Sequence, residues 1–368
     1  MTTALHFDVA PSVGQEPDFT RDRFRLPLLT ASSAKTFRRC AREYRNRYEL
    51  RRVRRRTVAG PQTFGTLVRA GLEAWWRAIG SLALPRVLDE ALNEMRRTAS
   101  RTSEETSPLD LLRAEELLRG YHARWAEKTQ LDYQVLFVEQ TFTAPLVNPD
   151  TDAASRTFQR AGKLDVVVRE RVTERVLVVE HKTSSEPLEP GDDYWRQLIL
   201  DSQVSTYLEG GAALGVKPSA CLYDVLGKPA LRPSAATPVE SRKYKKDGTL
   251  YANQRAEDES LEAFRERLRA HIAENLERYF KRAEVVRLED EAAEAMFDDW
   301  QTARSIRECQ LAGRWPRNTD ACKRYGRLCD YFDACTGVVS LDDETHFRSE
   351  VAHRELGDFN PNKESIRT

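Results

Sequence analysis

Two unbroken apolar runs limit this chain's fold more than any other feature. They are Val166-Val167-Val168 and Val176-Leu177-Val178-Val179, joined by the short polar link Glu170 to Glu174. Such β-branched runs, so closely connected, predict paired antiparallel strands, here from Gly162 to Arg169 and from Arg175 to Lys182. A strand with one wet face alternates polar and apolar residues. These runs do not alternate, so both faces of the hairpin must be covered. If Glu170 pairs with Arg175, then Asp165 stands opposite Glu180, their Cβ atoms within about 5.5 Å. Lys182, two residues beyond Glu180, shares that face.

Two carboxylates side by side at the end of a buried strand repel, and each resists ionising. A divalent cation resolves the conflict. Mg²⁺ takes oxygen ligands, uses one or two carboxylates and keeps waters and phosphate in its shell. It also lowers the pKa of a bound water. Asp165 and Glu180 are therefore candidate metal ligands, with the backbone carbonyl of His181 as a third. Lys182 is placed to orient an attacking water or to stabilise developing charge. The competing reading is an ion-pair network on an exposed hairpin, and the continuous apolar flanks argue against it. Gln203 and Tyr207 are spaced i and i+4 on the next helical segment, within reach of a common site. Packing by Tyr207 and capping by Gln203 would explain that spacing as well.

The remaining elements place this hairpin in a mixed sheet covered by helices. Thr30-Ala31-Ser32-Ser33 caps a helix through Phe37, Tyr44 and Tyr48. Helical spacing recurs over 64–79 and 84–130, the latter interrupted by the polar stretch 98–108. Strands are expected at 135–142 and 220–226, a helix over 192–210, and an extended loop over 229–257. A helix over 261–280, a short strand at 285–288 and a helix to about residue 307 follow. Residues 1–26 read as a flexible arm and 337–368 as a tail. Between them, residues 27–336 form the main domain, with a helical part at about 64–130, a core at about 131–290 and a cysteine cluster at 309–335.

Lys and Arg together number 58, as do Asp and Glu, so net charge gives no support to a nucleic-acid partner. The local distribution differs. Ten arginines lie between Arg38 and Arg56, against Glu43 and Glu49 alone. Such a stripe, including Arg38, Arg39 and Arg42, can follow a phosphate backbone; a solvated helix face reads the same. No run is long and apolar enough to span a bilayer, and Met1 is not followed by a leader-like segment. The expected compartment is the cytoplasm, with no membrane partner. In a reducing compartment the six cysteines point to a metal or cluster site rather than to disulfides.

Taken together, Gly162-x-x-Asp165, Glu180-His181-Lys182-Thr183 and Gln203-x-x-x-Tyr207 resemble the RecB-type branch of the PD-(D/E)XK nucleases. The likeness is to iron–sulfur-containing phage and bacterial members related to CRISPR-adaptation and AddB nucleases, and it extends from about Leu29 to Cys335. It implies a restriction-endonuclease-like α/β fold with a helical insertion and a cysteine-ligated iron–sulfur staple. It also implies hydrolysis of DNA phosphodiester bonds with Mg²⁺ or Mn²⁺, on single strands or ends, in recombination, repair or defence. Asp165, Glu180, Lys182, Gln203 and Tyr207 would be the catalytic set. Cys40, Cys322, Cys329 and Cys335 would hold a 4Fe-4S cluster, with zinc as the alternative and Cys309 as a substitute ligand. A helicase or other recombination or defence protein is the implied protein partner. Where relatives carry a metal-binding His, this chain has Arg69, which cannot ligate a metal but can contact phosphate. Glu73 and Glu139 are substitute carboxylates, and an inactive DNA-binding or recruiting module is the alternative function.

Overall fold

In a computed structural model, which describes residues 26–55, 61–101, 106–324 and 326–357, the two apolar runs form neighbouring antiparallel strands. The arm before residue 26, Arg56 of the arginine run, residues 102–105 of the polar stretch and the tail beyond residue 357 lie outside the described residues. The six-stranded sheet contains β1 (Leu28–Leu29), β3 (Tyr133–Val147), β4 (Ala154–Glu170), β5 (Val176–Ser184), β6 (Pro218–Gly227) and β7 (Phe280–Val285). A separate short strand, β2 (Arg52–Arg54), precedes the helical layer. β5 and β6 are parallel; β3 with β4, β4 with β5, and β6 with β7 are antiparallel.

The burial predicted from the apolar runs is found on both faces. Val166, Val168, Leu177 and Val179 pack into one core with three long helices, α3 (Pro61–Ala78), α4 (Leu84–Arg101) and α5 (Pro108–Asp132). Val167 and Val178 face the other way, against Val204 and Tyr207 of α7 (Ser202–Ala213). α7 follows the short helix α6 (Asp193–Gln197) in the crossover between β5 and β6. The single helix expected there breaks at Asp201, whose side chain accepts the Gln203 N–H at 2.9 Å and starts α7 afresh.

Other boundaries shift for local reasons. The first helix divides into α1 (Ala31–Arg39) and α2 (Ala41–Tyr44), with Cys40 extended between them, and ends in a π turn over Arg45–Glu49. The helix expected to reach Phe280 stops as α8 (Leu261–Glu274) and α9 (Leu276–Tyr279), because Asn275 leaves helical geometry and its side chain caps the His271 carbonyl. Phe280 instead opens β7, opposite Leu226, with its ring over Gly120, where a Cβ would come within 2.9 Å. The strand expected at 285–288 is therefore earlier, at 280–285, and α10 (Glu289–Ala312) follows, closed by left-handed Gly313. β3 and β4 run well past their expected ends as a long two-stranded arm. Arg160 on that arm, 2% exposed, ties it to Glu209 of α7 and Asp299 of α10.

Beyond α10 the chain returns to its own beginning. A tight hairpin of β8 (Lys323–Arg324) and β9 (Arg327–Leu328) leads to α11 (Phe332–Cys335). β10 (Phe347–Ser349) then pairs with β2. The Tyr331 hydroxyl donates to the Arg52 carbonyl at 2.6 Å. Among the described residues no helix is long and apolar enough to cross a membrane.

Candidate active site

The predicted register is the one observed. The Glu170 N–H donates to the Arg175 carbonyl at 2.8 Å, and Val166 pairs with Val179. There the β4–β5 ladder stops. The next pair is Asp165 and Glu180, each 3% exposed. Asp165 Oδ2 takes the His181 backbone N–H at 3.1 Å in place of a ladder bond, and its Oδ1 accepts from the Arg69 guanidinium. Glu180 Oε1 accepts from the Lys182 ammonium and from Gln203 Nε2 at 3.5 Å. Lys182 Nζ also donates to Gln203 Oε1 at 3.2 Å, and Gln203 Nε2 reaches the Tyr207 hydroxyl. All five residues expected to form the catalytic set are thus joined or adjacent.

The two carboxylates are not equivalent. Glu180 Oε2 is buried without a hydrogen-bond partner. A buried, unsatisfied carboxylate oxygen is costly. Burial, and then the charge of Asp165, push the Glu180 carboxyl up to about 7. Burial would raise Asp165 too, but hydrogen bonding from His181 and then the charge of Arg69 hold it well below the usual carboxylate range. One carboxylate has donors to spare and its neighbour has an empty oxygen, a donor set suited to a hard cation. Even so, among the described residues no group of three or more His, Cys, Asp or Glu side chains is gathered as a metal cage. The His181 ring lies between two carboxylates, with Nδ1 3.7 Å from Asp165 Oδ2, Nε2 3.7 Å from Asp224 Oδ2, and Trp76 against it.

Arg69 comes from α3 and bridges Asp165 to Glu139, with Nη2 at 3.1 Å and Nε at 3.3 Å from Glu139 Oε1. The other Glu139 oxygen meets the Lys163 ammonium. Lys163 is a site residue that the sequence reading missed. Its signal was alternation, because Lys163 lies two positions before Asp165 on the same face. Glu139 has φ +53, in the left-handed region, between the pairs Val138–Val166 and Gln140–Leu164. That conformation is uncommon for Glu, and no residue pattern announces it. Glu73 turns instead to Arg77, at 2.7 Å. A cleft of about 920 Å³ opens over this group, with Arg69, Glu139 and Lys163 on one side and Arg54, Tyr331 and Arg348 on the other.

The expected arginine stripe is largely occupied internally. Arg38 pairs with Asp299 and donates to Thr302 at 2.9 Å. Arg39 pairs with Glu43, and Arg42 donates to the Trp315 carbonyl at 3.0 Å. Arg38 and Arg42 dock α1 and α2 onto α10 and the C-terminal segment, while Arg39 pairs with Glu43 locally. The cysteines gather in the same region. Cys40 Sγ accepts the Asn318 N–H at 3.5 Å, the Cys322 thiol donates to the Asn318 carbonyl at 3.7 Å, and the Cys329 N–H donates to the Cys322 carbonyl at 2.8 Å. Cys335 lies close enough to Cys40 and Cys322 to feel their charge. Cys221 is fully buried in β6, and Cys309 packs at the edge of the core around Tyr44.

A twisted mixed sheet with an acidic pair and a lysine where two strands part defines a class of phosphodiester-cleaving folds. The model of the PD-(D/E)XK nuclease superfamily matches residues 28–336, and the chain belongs to that superfamily of hydrolases. Among solved structures, it is similar to a "Putative exonuclease" from Eubacterium rectale, at 10% identity and a TM-score of 0.43, covering 95% of this chain and 100% of that one. It is also similar to SSO0001, at 11% identity and a TM-score of 0.25, covering 73% of this chain and 80% of that one. No curated protein matches.

Proposed function

We propose that the protein is a metal-dependent deoxyribonuclease of the RecB-type, iron–sulfur-containing branch, acting on single-stranded or end-exposed DNA. The observation that carries this reading is the buried, partnerless Glu180 Oε2 beside Asp165 at the parting of β4 and β5. Asp165 and Glu180 would hold Mg²⁺ or Mn²⁺, and strand alternation turns the His181 carbonyl to the same edge as its N–H, toward Asp165. The bound ion supplies activation of a water and neutralisation of phosphate charge. Lys182, fixed by Glu180 and Gln203, positions the attacking water. Gln203 and Tyr207 hold Lys182 and Glu180 in place. The water oxygen loses a proton to solvent and bonds to phosphorus as one P–O ester bond breaks, and the departing sugar oxygen takes up a proton from solvent. The cleft cations Arg54, Lys163 and Arg348, each also paired with a carboxylate, are placed to meet a strand's phosphates.

Cys40, Cys322, Cys329 and Cys335 would hold the 4Fe-4S cluster, or zinc in its place; this is supported by Cys40 and Cys322 both contacting Asn318 and by the Cys329 N–H donating to the Cys322 carbonyl. Recombination, repair or defence in a bacterium or phage, with a helicase or related partner, fits such an enzyme. A second reading, an inactive DNA-binding module, is favoured by one observation: Arg69 already satisfies Asp165. A single assay separates the two. Labelled single-stranded DNA is incubated with Mn²⁺ and wild-type or Glu180→Ala protein. The expected result is cleavage by wild type and at least a 100-fold loss in the variant, the scale of losing a principal electrostatic group. Equal cleavage by both removes the proposed site. DNA binding without cleavage by either establishes the second reading.

A further inference from the structure

We propose that Arg69 is a tethered counter-cation, which holds Asp165 in the metal-free protein and competes with a divalent ion for it. Glu139 is the carboxylate that retains the guanidinium once Asp165 is released. This rests on the assignment of Asp165 and Glu180 as the metal-binding pair.

The geometry is asymmetric in the required way. Arg69 makes two hydrogen bonds to Glu139 and one to Asp165. Letting go of Asp165 therefore gives up one bond and keeps two. The Arg69 side chain is 45% exposed and lines the cleft, whereas Asp165 and Glu139 are 3% and 7% exposed. The cation can swing and the anions cannot follow. Glu139 is fixed from behind by Lys163, and its left-handed backbone is held by the β3–β4 pairing on either side.

Charge makes the competition obligatory. Asp165 and Glu139 touch Arg69, Glu139 also touches Lys163, and Glu180 touches Lys182, so each carboxylate of the metal-free site already has a cation beside it. A divalent ion added to this set meets a cation on Asp165 at contact distance, where repulsion is strongest. Arginine does not deprotonate in a protein, so it can yield only by moving.

The test is Mn²⁺ binding to the metal-free protein, measured by isothermal titration calorimetry with no DNA present. Arg69→Ala is expected to bind Mn²⁺ about tenfold tighter than wild type or more, the scale of one adjacent unlike charge acting on a carboxylate. The rise in melting temperature with added Mn²⁺ should be correspondingly larger in the variant. Arg69→Gln removes the charge and keeps a polar, hydrogen-bonding side chain at the position. It should fold where Arg69→Ala does not, and it should also bind Mn²⁺ tighter than wild type. Adding Glu139→Gln to Arg69→Ala should cause no further change; a loss of affinity would make Glu139 a metal ligand and overturn its retaining role. Unchanged affinity in both Arg69 variants overturns the competition. Glu180→Gln reports separately on the underlying assignment, because Mn²⁺ binding that survives it refutes the metal pair itself.

Discussion

At the residue scale, the Gly162-x-x-Asp165 motif owes its first position to packing rather than to chemistry. The Phe142 ring lies over Gly162, its register partner, and against Gly210 of α7. A Cβ would meet that ring at 2.7 Å on Gly162 and at 2.3 Å on Gly210. The two glycines let α7, with Gln203 and Tyr207, sit close over the acidic pair. Gly162→Ala is expected to cost about 1–3 kcal/mol, the usual penalty for overpacking, read as a lower urea midpoint with an unchanged slope. Phe142→Leu in the same chain should recover part of that loss. The acidic pair and Lys182 were legible in the sequence because alternation and the short link fix the register. Lys163 was legible by the same rule. The Arg69–Glu139 bridge was not, because it joins a helix to a strand 70 residues away and depends on one left-handed backbone angle.

At the scale of elements, the sheet is best understood through β4. Its first half pairs with β1 and its second half with β5 along one edge, while β3 follows the other edge throughout. Between those two partners Asp165 stands free of any ladder bond. Apolar runs announced the second half, which is covered on both faces. The first half is polar and alternating, and its role became visible only through Arg160. This buried guanidinium gathers Glu209 and Asp299, and Asp299 in turn holds Arg38 of α1. Arg160→Leu would remove the partner of Glu209 and leave the buried Asp299 to Arg38 alone. The expected cost is about 3–5 kcal/mol, measured by chemical denaturation. The helix boundaries at Asp201 and Asn275 escaped the sequence reading because apolar periodicity continues across both. Side-chain caps, not a change of pattern, end the helices there.

On the scale of the whole molecule, the N-terminal helices and the C-terminal segment build one flank together. β2 pairs with β10, the Thr30 hydroxyl donates to Glu355 at 3.2 Å, and Cys40 and Cys322 both contact Asn318. If these thiols carry an iron–sulfur cluster, anaerobically purified protein should absorb at about 400 nm, as expected for thiolate-bound iron–sulfur centres. Cys335→Ser should lose that band, and Cys221→Ser, altered only in the sheet core, should keep it. A colourless wild type with stoichiometric zinc would reassign the site.

The pairing of β2 with β10 also orders events in time. Residue 347 leaves the ribosome long after residue 54, so the wall of the cleft with Tyr331 and Arg348 arrives after the wall with Arg69, Glu139 and Lys163. Asp165, Glu180 and Lys182 are all translated well before it. A nascent chain would thus hold Asp165 and Glu180 before the Tyr331–Arg348 wall of the cleft is present.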